Sequence, residues 1–193
     1  MAKSTGLAQK FFHGIYDLSG DIGSVSSWST PVAVLDVTGI DKSAIERVQG
    51  LSDGTVSFNA FFNDAAAAEH VALRVPSSGA VVTWAMGSTV GDVAGMMQGQ
   101  GVSYDPTRGP DGGLAFDVEM VNYASPAVWG VMLTPGLKTD TSAANGATLD
   151  QGAQTTAGAE AILHVTSFTG SNFTATVQDS ANGSDWGTLK AYT

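Results

Sequence analysis

The 193-residue chain contains no cysteine, so disulfide bonds, thiol nucleophiles and cysteine-ligated zinc are excluded. Charged residues are sparse at 13%, and eight Lys and Arg stand against 18 Asp and Glu. The net charge is −10, and the chain has no basic cluster of the kind that grips nucleic acid through its phosphates. No run approaches the roughly 20 apolar residues that cross a bilayer, and Met1–Phe12 lacks the apolar segment of a secretion signal. We therefore expect neither a membrane segment nor a surface that binds nucleic acid through its phosphates.

What the chain does contain favours β-structure. Glycine is frequent, at 24 residues, and apolar residues make up 43%. With many Ser, Thr and Val residues, this composition is typical of a β-rich protein with many turns. Thr55–Phe62 alternates, with Val56, Phe58, Ala60 and Phe62 on one face and Thr55, Ser57 and Asn59 on the other. Leu114–Ala124 alternates in the same way, with Asp117 and Glu119 facing away from Leu114, Phe116, Val118 and Met120.

Other segments add strands and one helix. Asn63–Leu73 is predicted to be a helix, because Asn63 or Asp64 can cap it and four alanines follow. Further strands are predicted at Pro31–Gly39, Val81–Gly87 and Val93–Asp105. Glycines within the strand predicted at Val93–Asp105 suggest bulges or close backbone approach.

A long polar connection, Ile40–Gly54, separates two of the predicted strands. Ser43 and Glu46 have the spacing of a capping box, in which each residue satisfies a backbone N–H at the start of a helix. The spacing therefore predicts a single helical turn within the connection.

The composition changes after Pro135. Residues 136–156 have few apolar side chains and are predicted to be a linker, which separates a first domain of residues 1–135 from a small all-β extension of residues 157–193. Within the extension, strands are predicted at Ala161–Phe168 and Phe173–Ser180, joined as a hairpin through the sequence TGSN. The fold class expected for the whole chain is a mainly β sandwich or barrel with one flanking helix and this small extension.

Little in the sequence suggests catalysis. The three histidines, His13, His70 and His164, have no partner at metal-ligand spacing, and Asp179–Asp185 lacks the order of a calcium loop. Asp117 and Glu119 lie about 7 Å apart along one strand, a pairing that can hydrolyse glycosides. Two acids at this spacing more often mark a solvated face, and no aromatic sugar platform surrounds them. We expect no enzyme, no cofactor and no metal; a hydrolase that uses these two acids stays as a minor alternative.

Three long segments resemble the major tail tube protein of long-tailed, siphovirus-type bacteriophages, in a group common among phages of actinobacteria. The resemblance covers roughly Tyr16 to Pro135, and QDSANGSDW resembles the all-β extensions found on such proteins. The three segments are YDLSGDIGSVSSWS (Tyr16–Ser29), LDVTGIDKSAIERVQGLSDGTVSFNAFFN (Leu35–Asn63) and VSYDPTRGPDGGLAFDVE (Val102–Glu119).

The resemblance implies a structural virion protein, made in the bacterial host cytoplasm and located in the virion tail. Six subunits would form a ring whose inner sheets join into one barrel, and the rings would stack into a tube through which genomic DNA passes without specific binding. The expected partners are other copies of the chain, a tape measure protein and a tail terminator. The extension would lie outside the tube.

The resemblance also implies roles for particular residues. The loop that reaches the adjacent ring in this family matches Asp41–Asp53. The candidate residues are Ser57, Asn59, Asp117 and Glu119 for the lumen, and Asp41, Lys42, Glu46, Arg47 and Asp53 for the inter-ring loop. An alternative from another class is a minor tail or decoration protein that binds host-surface carbohydrate through its C-terminal unit.

Overall fold

The computed structural model describes residues 5–152 and 158–193 and is mainly β, as predicted, with one short helix. Residues 153–157, which include the end of the predicted linker, lie outside the described residues. The helix, α1, spans Glu69–Leu73. The strands are β1 (Lys10–His13), β2 (Tyr16–Asp17), β3 (Ile22–Ser29), β4 (Val32–Asp36), β5 (Arg47–Ser52), β6 (Thr55–Phe61), β7 (Ser78–Ala85), β8 (Val93–Arg108), β9 (Leu114–Asn122), β10 (Val128–Val131), β11 (Ala175–Asp179) and β12 (Gly187–Tyr192).

Eight of the strands form one antiparallel sheet in the order β2-β1-β7-β8-β9-β6-β3, with β10 paired to the first part of β8. The sheet folds over on itself, because β8 is 16 residues long and serves two layers. Its first half pairs with β7, its second half pairs with β9, and a register shift between Gly101 and Ser103 marks the bend. The fold is therefore a sandwich built from a single bent sheet.

The core lies between the two layers. Val56 and Phe58 of β6 are 0% and 2% exposed, and the ring of Phe58 meets that of Phe11 in β1 at 4.7 Å between centroids. The apolar face predicted for β9 is confirmed, with Phe116, Val118 and Met120 all buried. The strict alternation of these strands thus supplies one wall of the core.

The predicted helix is wrong in extent, since only Glu69–Leu73 is helical. The alanines before it form turns, and Ala67 has a φ of 64°, in the left-handed region that ends a right-handed helix. Asn63 does not cap the helix; instead its side-chain oxygen accepts from the N–H of Ala65. The N–H of Glu69 donates to the carboxylate of Asp21, so a tertiary contact sets where the helix begins. Burial raises the pKa of Glu69, although hydrogen bonding from Tyr104 and Asn63 opposes the shift.

The predicted helical turn at Ser43–Glu46 is also wrong. The segment is the tip of a hairpin formed by β4 and β5, and Arg47–Ser52 is a strand that the sequence analysis missed. The N–H of Glu46 donates to the Thr38 hydroxyl across the hairpin at 2.9 Å. This contact replaces the expected cap.

The predicted hairpin in the extension is wrong in its partners. Ala161–Phe168 contains no strand. β11 lies within the predicted strand Phe173–Ser180, but it pairs with β12 through the turn that contains Asp179–Asp185. Residues 161–168 instead follow an irregular path against the sandwich.

One close approach locks the two layers together. The indole of Trp28 in β3 packs on Gly95 in β8, where an added Cβ would lie 2.6 Å from the ring. The same indole contacts the rings of Trp84 and Trp129 at 6.3 and 6.0 Å. The predicted close backbone approach at this glycine-rich strand is therefore present at Gly95.

Gly95→Ala should destabilise the fold by about 1–3 kcal/mol, because the indole of Trp28 must move to admit the methyl group. The measurement is urea unfolding followed by tryptophan fluorescence. Gly20→Ala is the matched control, since nothing lies within 4 Å of its added Cβ. Equal stability of the two variants would contradict the packing described.

Candidate assembly surfaces

The four residues predicted to face a lumen lie together on one sheet face. Ser57 pairs with Glu119, and Asn59 pairs with Asp117, between β6 and β9. The side-chain amide of Asn59 donates to the Asp117 carboxylate at 3.0 Å. The pairing register therefore brings all four side chains into one patch.

The same face extends onto the neighbouring strands. In β8, Ser103 pairs with Glu119 and Asp105 with Asp117, and Ser24 and Ser27 of β3 lie opposite β6. The four strands β8, β9, β6 and β3 carry three acidic residues and one basic residue. That basic residue, Arg108, pairs with Leu114, which places it on the other face. This face is thus polar and acidic. The sequence analysis did not place Ser103 and Asp105 on it, although Ser103, Asp105 and Thr107 continue the alternation.

Asp105 and Asp117 are like charges directly opposite each other on this face. Cross-strand like charges destabilise a sheet by a few tenths to about 1 kcal/mol. No basic side chain of the four strands shares the face to offset them. The negative charge of this face therefore lowers the folding stability of the single chain.

Both edges of the four-stranded sheet are open. Among the described residues, β3 pairs only with β6, and β8 beyond Gly101 pairs only with β9, because β7 begins at Ser78, opposite Gln100. Since neighbouring strands alternate in direction, β3 and β8 run in opposite directions at the two edges. An open β3 edge next to an open β8 edge of another copy would form one more antiparallel pair.

The opposite outer face of the sandwich is covered by the chain itself. The imidazole of His164 stacks on Phe12 of β1, with centroids 5.3 Å apart, and contacts Thr83 of β7. Phe12 and Thr83 are both buried, although they point away from the core between the layers. The Tyr192 hydroxyl donates to the carbonyl of Ala161, which ties the β11–β12 hairpin to the same segment.

The hairpin of β4 and β5 projects from the sandwich as an arm of residues 32–53. The five residues predicted for an inter-ring loop all lie on it: Asp41 at the tip, Lys42 and Glu46 in an ion pair of 3.3 Å, Arg47 in β5 and Asp53 at the base. The sequence predicts a polar segment here, whereas many of the exposed side chains of the arm are apolar. Its exposed large apolar residues are Val32, Val34, Leu35, Val37, Ile40, Ile45, Val48 and Leu51.

Ile40 is fully exposed and Leu51 is 87% exposed. A two-stranded hairpin without a covering layer is marginally stable in water. So many exposed apolar side chains on one segment are typical of a protein–protein contact. The arm therefore has the features of a surface that another chain covers.

The described residues also bear on the expectations for metal, membrane and carboxylate sites. No group of three or more His, Asp or Glu residues there is arranged to hold a metal ion. Within residues 5–152 and 158–193, no helix has the length and apolar character needed to cross a membrane. Asp117 and Glu119 are exposed on the open polar face rather than set in a cleft.

Comparison with known proteins gives distant structural similarity. No protein-family model matches the chain, and no curated protein matches it. A solved structure described as the tail of an empty GTA particle, computed with helical refinement and C6 symmetry, aligns with a TM-score of 0.47 and 14% identity over 65% of this chain and 97% of that chain. A similarity this distant assigns the chain to no family.

Asp105→Asn should stabilise the isolated subunit by a few tenths to about 1 kcal/mol, because it removes the repulsion from Asp117. The gain should shrink in high salt, which screens exposed charges. Urea unfolding at low and high salt measures both effects. Asp64→Asn, at an exposed residue away from this face, is the control, and an equal gain there would contradict the assignment.

Proposed function

We propose that the protein is a structural, non-enzymatic subunit that assembles into stacked hexameric rings, and that these form the tail tube of a siphovirus-type bacteriophage. The observation that carries the proposal is the four-stranded sheet with two open edges and one bare, acidic face. The resemblance of Tyr16–Pro135 to tail tube proteins supplies the family. The tube would deliver DNA to the host, and a tape measure protein and a tail terminator would be further partners.

The two outer faces of the sandwich support one orientation of the subunit. The face of β1 and β7 carries the C-terminal segment, whereas the face of β6 and β9 is bare. A lumen-facing sheet must be free of covering chain. Ser57, Asn59, Asp117 and Glu119 would therefore face the lumen, and the extension would lie outside the tube.

The charge of the bare face suits a conduit for DNA. Lysine or arginine side chains would hold the phosphates and release counterions, which slows passage. Carboxylates repel a polyanion instead, and small uncharged polar groups do not hold it by charge. The like-charge pair of Asp105 and Asp117, costly in the free subunit, would then serve transit rather than stability.

The sheet geometry suits a ring. Head-to-tail contacts between different surfaces close into rings when the rotation allows, and joined edges remove the open edges that would otherwise aggregate. Six sheets of four strands would give a barrel of roughly 24 strands. At about 4.8 Å between strands and a tilt of about 40°, the backbone cylinder would be about 45–50 Å across.

The arm would join one ring to the next. Its apolar residues are exposed in the single chain, and stacking would bury them against the neighbouring ring. Asp41, Lys42, Glu46, Arg47 and Asp53 would contribute polar contacts at the rim of that junction.

Negative-stain electron microscopy of the purified protein at high concentration, with mass photometry at low concentration, tests the proposal. Rings or stacked tubes with a central hole are expected. A protein that stays monomeric at every concentration and binds glycans on an array would instead support the carbohydrate-binding alternative, for which Trp186 is an exposed candidate.

Ile40→Asp combined with Leu51→Asp should abolish long tubes while leaving single rings, because the arm is altered and the sheet edges are not. Sedimentation of tubes and counting of rings by microscopy measure the two outcomes. Leu137→Asp is the matched control, since Leu137 is an exposed leucine outside the arm. Normal tubes from the double variant would overturn the role proposed for the arm.

A further inference from the structure

The residues from Gly158 to Phe168, here called the strap, contact the sandwich through the imidazole of His164. The Nδ1 atom of His164 lies 2.7 Å from the carbonyl oxygen of Gly14, and its Nε2 atom lies 2.8 Å from the hydroxyl of Thr83. The ring also stacks on Phe12 at an interplanar angle of 25°. Both ring nitrogens and one ring face are therefore engaged.

These contacts define which ring nitrogen carries the proton in the neutral ring. A carbonyl oxygen can only accept, so Nδ1 must carry the proton and donate to Gly14. In the neutral ring, Nε2 then accepts a hydrogen bond from the Thr83 hydroxyl. A second proton on Nε2 would make it a donor to the Thr83 oxygen, and the hydrogen of this buried hydroxyl would lose its acceptor.

One carboxylate lies near the ring: Asp17 of β2 pairs with Phe12 on the same outer face, and it accepts a hydrogen bond from the N–H of Ser19. On β1, Lys10 shares the outer face with Phe12, and His13 faces the core on the other side of the strand. β7 carries no titratable residue, and the one carboxylate of the strap, Glu160, is exposed. The titratable groups that flank the ring on β1 are thus basic.

Burial lowers the pKa of His164, although its hydrogen bond to Gly14 opposes the effect. Burial and repulsion from His164 lower the pKa of His13 to about 4. Because the attached ring binds a proton less readily than the free ring, attachment is strongest above the ordinary histidine pKa of about 6.5 and weakens as the pH falls below it.

We propose that the strap is an acid-sensitive attachment, held on the outer face of β1 and β7 by neutral His164 and released when this imidazole is protonated. Release would free the C-terminal extension from the sandwich while the core between the layers stays folded. The proposal does not depend on tube assembly, because every contact lies within one chain.

Nuclear magnetic resonance of the full chain, kept dilute, tests the proposal directly. At pH 7.5 the ring nitrogens of His164 should report the Nδ1–H tautomer, with proximity signals to the ring of Phe12. Between pH 7 and 5 these signals should be lost, and residues 158–168 should gain fast-timescale mobility while β6 and β9 do not. The attachment equilibrium should fall by at most about tenfold per pH unit, as expected for one proton.

Two variants test whether His164 or His13 is the group whose protonation releases the strap. His164→Gln cannot take up a proton, so the signals of Phe12 and Thr83 should no longer change with pH. His13→Gln should keep the change seen in the wild type. The proposal is overturned if the wild-type ring is the Nε2–H tautomer, if residues 158–168 keep the same mobility at pH 5 and 7.5, or if His164→Gln retains the wild-type pH dependence.

Discussion

The antiparallel register between β6 and β9 is the constraint on which the rest of the structure depends. It places Val56 and Phe58 against the core while it sets Asn59 beside Asp117 on the outside. A shift by one residue would exchange the two faces, exposing the core residues and burying the carboxylates. The alternation that stabilises the subunit is thus the same alternation that produces the bare polar face, so folding and the proposed function are specified together.

The long strand β8 extends this constraint to the whole sandwich. Its first half belongs to the layer of β7 and its second half to the layer of β9. The bend leaves the second half with one open edge, and β3 has the other. The sandwich is thereby closed within one chain by aromatic packing around Trp28, yet the polar sheet remains open at both sides. Closure of that sheet by neighbouring copies is the simplest way to satisfy its backbone groups.

Sequence patterns predicted the strands correctly where one face of the strand packs against the core. The alternation in Thr55–Phe62 and Leu114–Ala124 identified the buried faces, because one side of each strand packs on the core; Phe62 is the exception, since it follows the end of β6 and is exposed. The patterns failed where tertiary contacts override local propensity: the alanines before Glu69 form turns because Asp21 holds the start of the helix. They also failed at Arg47–Ser52, because a strand without a core beneath it need not alternate. The role of His164 gave no signal, since its partners are distant in sequence.

The central claim is that the face bearing Ser57 lines a closed channel. Because the chain has no cysteine, Ser57→Cys and, as an outer control, Ser184→Cys each introduce a single reactive thiol. Labelling with a small maleimide and with a maleimide carried on a large polymer should be measured on dispersed subunits and on assembled particles. The account predicts that assembly blocks only the large reagent, and only at residue 57. Equal access of the large reagent to both positions in assembled particles would contradict it.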